Sequence, residues 1–244
     1  MNKLLETVFE TKKFQNSNNQ IVEIHSETSK KQCEFLQQLI TAHKFSKSLE
    51  IGFAYGISTL AIIEEVVKNG GRHLVIDKFQ HDVWSGNGLE LIKQAGYSDQ
   101  LDFIEEYCYI ILPKLLEAGK KFDFAYVDST KQFDWLLVNF FYIDKVLDVN
   151  GIVVFDDVAW TSIRKLLRYI SQFPNYKVYS QFPENYAPTK ARELTELLKH
   201  LPKSEKYLKE DIIKSDYQLG INCSCVALIK VGEDKRNWDW HINF

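Results

Sequence analysis

No stretch of this chain is apolar over the roughly 18 residues that a membrane span needs, and Met1-Asn2-Lys3-Leu4-Leu5-Glu6 lacks the continuous apolar core of a signal peptide. A cytoplasmic protein with no membrane partner is the expectation. Cysteine is scarce: Cys33, Cys108, Cys223 and Cys225 are too few and too scattered for a disulfide framework, and Cys223-x-Cys225 has no second pair to complete a zinc site. Neither sign of charge dominates, with 30 Lys and Arg against 33 Asp and Glu and a formal net charge of -3. The basic residues interleave with acids instead of forming a patch, which argues against nucleic acid as a partner. Repeats and low-complexity tracts are also missing. What is present is a chain of 244 residues, 45% hydrophobic and 14% aromatic, enough for one buried core with an appendage. A small soluble molecule is the default partner.

The most informative stretch is Glu50-Ile-Gly-Phe-Ala-Tyr-Gly-Ile-Ser-Thr59. The short apolar run before it suits a buried strand, and Leu60, Ile63 and Val67 recur at helical spacing after it. Gly52 and Gly56 therefore fall in a strand-to-helix turn, where glycine lets a ligand approach the backbone and the N–H groups of the helix start favour a negative group. Ala54 stands where the dinucleotide fingerprint needs its middle glycine, and no Gly-Lys-Ser/Thr follows for a phosphate loop.

The remaining chain alternates strands and helices. A short helix over Leu4–Phe9 and a polar loop at Asn16–Gln20 form an N-terminal extension, followed by a helix from Ser26 to about His43 capped by Ser26 or Thr28. We assign residues 1–44 to the extension and 45–244 to the main domain. Strands are predicted at His73–Asp77, Leu101–Glu105, Phe122–Asp128, Ile152–Phe155 and Tyr176–Tyr179. Between them lie helices to about Ala95, over Ile110–Leu116 with an early interruption at Pro113, and over Lys131–Leu147. A helical insertion spans about 183–218, Cys223–Val231 is the last strand, and Trp238–Phe244 alternates as a terminal extended segment. Such alternation implies a parallel sheet with helices on both faces, and ligands of such sheets bind beyond the carboxyl ends of the strands. The glycine turn, Asp77, Asp128 and Asp156-Asp157 all fall at that edge. Asp77, closing the second strand, suits hydrogen bonds from ribose hydroxyls. His81, in the loop after Asp77, is a candidate base, and His25 a candidate for the cofactor mouth.

Taken together, these residues resemble the class I S-adenosylmethionine-dependent methyltransferases, in particular the small-molecule O-methyltransferase-like group. The resemblance runs from about His25 to Phe244. It implies a three-layer, Rossmann-like α/β fold with a seven-stranded, mostly parallel sheet whose last strand is antiparallel. Glu50-x-Gly52-x-x-x-Gly56-x-Ser58-Thr59 is similar to the loop that holds the methionine moiety, and Asp77 to the ribose-binding acid. Phe103–Cys108 is similar to the adenine contact, through the backbone near Tyr107 and Cys108. The metal-dependent branch takes its ligands from an Asp after the fourth strand and an acidic or amide pair after the fifth. Asp128, Asp156 and Asp157 match those places, and Lys131 matches the lysine three residues past the first Asp. Asp128 and Lys131 are then the catalytic candidates, with Lys131 as base and Mg²⁺ or Ca²⁺ as the cation. The resemblance implies methyl transfer to a hydroxyl of a small acceptor. An adenosyl-binding module without turnover and a metal-free N-methyltransferase are the alternatives, and the absence of Asn/Asp-Pro-Pro-Tyr after the fourth strand weighs against the latter. The aromatic C-terminus is compatible with a homodimer.

Overall fold

The computed structural model describes residues 1–25, 28–183 and 215–242. Helix α1 (Lys3–Thr11) leads into a hairpin of β1 (Lys13–Gln15) and β2 (Ile21–Glu23), and the polar Asn16–Gln20 stretch is its turn. Helix α2 (Lys30–His43) begins later than Ser26 or Thr28 would set it, because the Ser29 hydroxyl accepts from the Gln32 N–H at 3.3 Å and caps it. Ser26 lies outside the described residues.

The main sheet then alternates with helices: β3 (Lys47–Ile51), α3 (Ile57–Lys68), β4 (Arg72–Ile76), α4 (Asn87–Gln94), β5 (Leu101–Ile104), α5 (Cys108–Glu117), β6 (Phe122–Val127), α6 (Phe133–Val146), β7 (Leu147–Phe155), α7 (Thr161–Ile170), β8 (Tyr176–Phe182) and β9 (Cys225–Lys230). The seven strands lie in the order β5-β4-β3-β6-β7-β9-β8, all parallel except β9, which runs antiparallel to β7 and β8. Helix α5 passes through Pro113 instead of breaking there. A proline ring costs such a helix one N–H bond, and apolar burial of Ile111, Leu112 and Leu115 holds the turn together.

Successive strand side chains alternate between the two faces of the sheet, and in the central strands both faces are buried. Ala125, Val127, Val153 and Phe155 pack with α5, α6 and α7. Phe124, Tyr126, Ile152 and Val154 point the other way, against Phe35, Leu36, Leu39 and Ile40 of α2 and Ile62 and Val66 of α3. A third cluster ties Leu5, Val8, Phe14 and Ile24 of the N-terminal segment to Tyr55, Ile57 and Leu60. The C-terminus departs from the expected extended segment. Trp238 is 98% exposed, while Trp240 packs on Phe173 at 5.3 Å and the Arg236 guanidinium lies 3.5 Å from the Phe173 ring centre. The helical segments expected within the insertion at 183–218 fall mainly on 184–214, outside the described residues.

Candidate active site at the carboxyl edge of the sheet

Gly52 leaves β3 with φ +101°, and a Cβ there would sit 1.9 Å from the carbonyl oxygen of Asp128. The neighbour that demands glycine is therefore the β6–α6 loop, not a ligand. Gly56, at φ +76°, opens α3 in the left-handed region, and a Cβ added to it would stand 2.9 Å from the Phe53 ring and 3.2 Å from the Gly88 carbonyl. These two glycines let three loops converge on one point.

Glu50, expected to meet the cofactor, is instead fully buried and lines neither cavity at the edge. Its Oε1 accepts from the Ser58 hydroxyl at 2.5 Å and its Oε2 from the Thr59 hydroxyl at 2.7 Å, with His73 Nε2 at 2.8 Å from the same oxygen. The carboxylate is a strut that fixes the first turn of α3. Asp77 is the corresponding tie between loops: its Oδ2 accepts from the N–H groups of Phe53 and Ala54 at 2.8 and 3.3 Å, and its Oδ1 from that of Phe79 at 2.7 Å. Unlike Glu50 it lines the main cavity, and its Oδ1, with a single donor, keeps a lone pair for a further one.

That cavity, of about 250 Å³, is lined by Gly52, Asp77, Tyr107 and Cys108 from the sequence candidates and ends on Asp128. Its lining is partly aromatic: Phe79 and Trp135 meet Tyr107 at centroid distances of 6.0 and 5.8 Å, and Tyr109 stacks on Tyr107 at 5.1 Å from outside the lining. A second, smaller cavity of about 30 Å³ adjoins it, lined by Thr28, Tyr55, Ser58 and again Asp128. Sequence reasoning does not single out Phe79, Trp84, Trp135 and Thr28 as cavity residues. Aromatic residues after a strand-end acid are the available signal, but their convergence depends on loops from different strands.

Beyond Asp128 lies a cluster of opposite charges. Lys131 Nζ stands 3.0 Å from Asp128 Oδ1 and 2.7 Å from Asp157 Oδ2. Asp157 adopts a left-handed backbone, φ 55°, and its N–H donates to Asp156 Oδ1 at 2.6 Å. Burial, reinforced by the charge of Asp156, pushes the Asp128 carboxyl up to about 6. Burial also raises Asp156. It works against the Lys131 ammonium too, but the Asp128 and Asp157 carboxylates outweigh it and hold its pKa above the usual lysine value. In this arrangement Lys131 is an ammonium that anchors carboxylates. The two histidine candidates lie elsewhere: His81 is exposed and pairs with Glu105 at 2.5 Å, and His25 shares a hydrogen bond of 3.2 Å with the Tyr55 hydroxyl.

The profile of the O-methyltransferase family matches residues 4–178, well over half of the chain. The chain belongs to the O-methyltransferase family. Among curated relatives it is 30% identical over 157 residues to a caffeoyl-CoA O-methyltransferase of Eucalyptus globulus, covering 60% of this chain and 62% of that one. The chain thus spans about three fifths of that relative's length. Among solved structures, the O-methyltransferase TomG of Streptomyces achromogenes in complex with SAM superposes with a TM-score of 0.61 at 16% identity, over 84% of this chain and 82% of that one. An O-methyltransferase of Bacillus cereus in complex with SAH gives a TM-score of 0.60 at 20% identity, over 73% and 83%. These structures share the fold of this O-methyltransferase family member.

The donor chemistry of the cluster suits a hard divalent cation: Lys131 pairs with Asp128 and Asp157, the Asp156 carboxyl adds a third acid whose charge acts on Asp128, and every one of these donors is oxygen. Among the described residues no group of three or more His, Cys, Asp or Glu side chains is arranged to hold a metal ion, and Lys131 stands between Asp128 and Asp157.

Proposed function

We propose that the chain binds S-adenosylmethionine along the carboxyl edge and transfers its methyl group to a hydroxyl oxygen of a small acceptor. The observation that carries this reading is the position of Asp128, which lines both cavities and also pairs with Lys131. Cofactor cradle and charged cluster are one continuous site.

In this reading Asp77 takes the ribose hydroxyls, the backbone at Tyr107 and Cys108 meets adenine, and Thr28 and Ser58 face the methionine end. Glu50 and Gly56 act at one remove by shaping the turn. Methyl transfer is an in-line displacement in which the new O–C bond forms as the S–C bond breaks, so alignment of the acceptor supplies much of the rate. Asp128, Asp156 and Asp157 would hold a divalent cation, Mg²⁺ or Ca²⁺, whose chemistry is to lower the pKa of a coordinated hydroxyl. In the structure Lys131 is an ammonium; as the candidate base it would act only as the neutral amine, after giving its own proton to solvent, and would then take the hydroxyl proton. The accompanying division is an extension at residues 1–44 and a methyltransferase domain at 45–244, with an insertion at about 183–218. The setting we favour is cytoplasmic, as a homodimer without nucleic acid; in its support, no helix among the described residues is long and apolar enough to cross a membrane, and Trp238 is exposed.

The test is transfer of labelled methyl from S-adenosylmethionine to a panel of small phenols, alcohols and amines, with Mg²⁺ and with chelator. Transfer to hydroxyls, reduced about 100-fold in Asp128→Asn while S-adenosylhomocysteine still binds, supports the reading. Transfer to amines alone, or binding with no turnover on any acceptor, contradicts it.

A further inference from the structure

Tyr126 lies near the carboxyl end of β6 and is fully buried between the sheet and α2, in a cluster whose other members are hydrophobic, among them Phe124, Ile152, Val154, Leu36 and Ile40. A hydroxyl in such surroundings costs free energy unless it is partnered, and phenylalanine would fill the same space without that cost. The Tyr126 hydroxyl has two partners. It lies 2.8 Å from Asp156 Oδ2 and 3.2 Å from Gln32 Nε2, in the first turn of α2. An ionised carboxylate only accepts hydrogen bonds and an amide NH₂ only donates, so the direction is fixed: Gln32 donates to Tyr126, and Tyr126 donates to Asp156. Aligned donors of this kind polarise one another. With Asp157 N–H on Oδ1, both oxygens of Asp156 are held, each by a group on a rigid element or its immediate end. Asp128 and Asp157, by contrast, are tied to the side chain of Lys131, a long flexible stem. Asp156 is the fixed corner of the cluster.

We propose that Tyr126 and Gln32 are positioning residues that orient the Asp156 carboxylate for a hard divalent cation shared with Asp128 and Asp157. The inference rests on the cation-assisted reading of the site given above. Partners one step behind a metal ligand set its orientation, and their loss weakens the metal by about 10- to 100-fold. Neither residue lines either of the two cavities at the carboxyl edge, so both act on that site through Asp156.

The experiment uses the full chain as wild type, Tyr126→Phe and Gln32→Met, with Mn²⁺ as the probe. Mn²⁺ affinity is read from the free-ion electron paramagnetic resonance signal, beside calorimetric titration of S-adenosylhomocysteine and thermal melting. The expected result is Mn²⁺ binding by the wild type and binding weaker by about tenfold or more in Tyr126→Phe, with a smaller loss in Gln32→Met and S-adenosylhomocysteine affinity within about twofold throughout. Turnover by the variants should recover at saturating Mn²⁺, so that KM for the ion moves and kcat does not. Unchanged Mn²⁺ affinity in the variants overturns the proposal. If Tyr126→Phe does not fold, Gln32→Met alone decides, since it keeps the backbone N–H that caps α2. A wild type that binds S-adenosylhomocysteine but no Mn²⁺ also overturns it while leaving methyl transfer standing. Binding of neither ligand fails the functional reading itself.

Discussion

His73 Nε2 and Glu50 Oε2 meet at 2.8 Å with both side chains fully buried, and the other ring nitrogen of His73 lies 2.8 Å from the Ser48 hydroxyl. Two neighbouring parallel strands are thereby cross-linked beneath the turn that shapes the cavity. The same carboxylate holds Ser58 and Thr59, so one buried acid fixes strand, turn and helix together.

Glu50→Ala should therefore act on stability more than on ligand recognition. It strands three buried donors, and a loss of about 3 kcal/mol is expected from chemical denaturation, with Glu50→Gln milder. If Glu50→Ala keeps wild-type stability and loses only cofactor affinity, the carboxylate is a ligand and not a strut.

Gly52→Ala should be more severe. The new methyl group would meet the Asp128 carbonyl at 1.9 Å, and the backbone conformation is one that alanine rarely adopts. Thermal unfolding should show a loss of about 3 kcal/mol or more, and the β6–α6 loop should give way, with loss of S-adenosylhomocysteine binding. A stable Gly52→Ala protein with intact binding would show that this close approach does not constrain the site.

Asp128 sets a pH dependence. Its carboxyl is raised in the fold from 3.8 to about 6 by burial and by the charge of Asp156, so the folded state binds the proton more tightly than the unfolded chain. The contribution is full below about pH 4 and is lost as pH rises through about 6. In chelator, the melting temperature difference between wild type and Asp128→Asn should therefore shift in favour of the variant as pH goes from about 4 to about 7.5. A difference that stays constant across that window contradicts the assignment.

All four cysteines are buried and reduced, and burial pushes the Cys108 thiol up, so thiol reagents should react slowly with the native protein. Cys108 alone of the four lines the main cavity. S-adenosylhomocysteine should slow its alkylation, followed by peptide mass mapping, and leave the other three unaffected. Equal protection of all four would point to general stabilisation and not to occupancy of the cavity.

The strand-end acids and the glycine turn are legible in the sequence because they depend on local pattern: an apolar run, a turn residue, a helical face. The antiparallel β9 comes from the family resemblance, not from periodicity. The burial of Glu50 is not legible, since a glutamate closing a strand looks alike whether it faces a ligand or His73. Nor is the role of Tyr126, whose partners lie in α2 and after β7, far apart in the chain. The cap of α2 falls on Ser29 because Ser26, Thr28 and Ser29 offer the same chemistry within four residues, and only geometry selects among them.

The measurement that tests the account most directly is calorimetric titration of the protein with S-adenosylhomocysteine, with NAD as control, in wild type and Asp77→Ala. The account predicts binding of the adenosyl ligand and not of NAD, weakened at least about tenfold when the Asp77 carboxylate is removed. No binding of the adenosyl ligand by the wild type, or equal binding by Asp77→Ala, would contradict it.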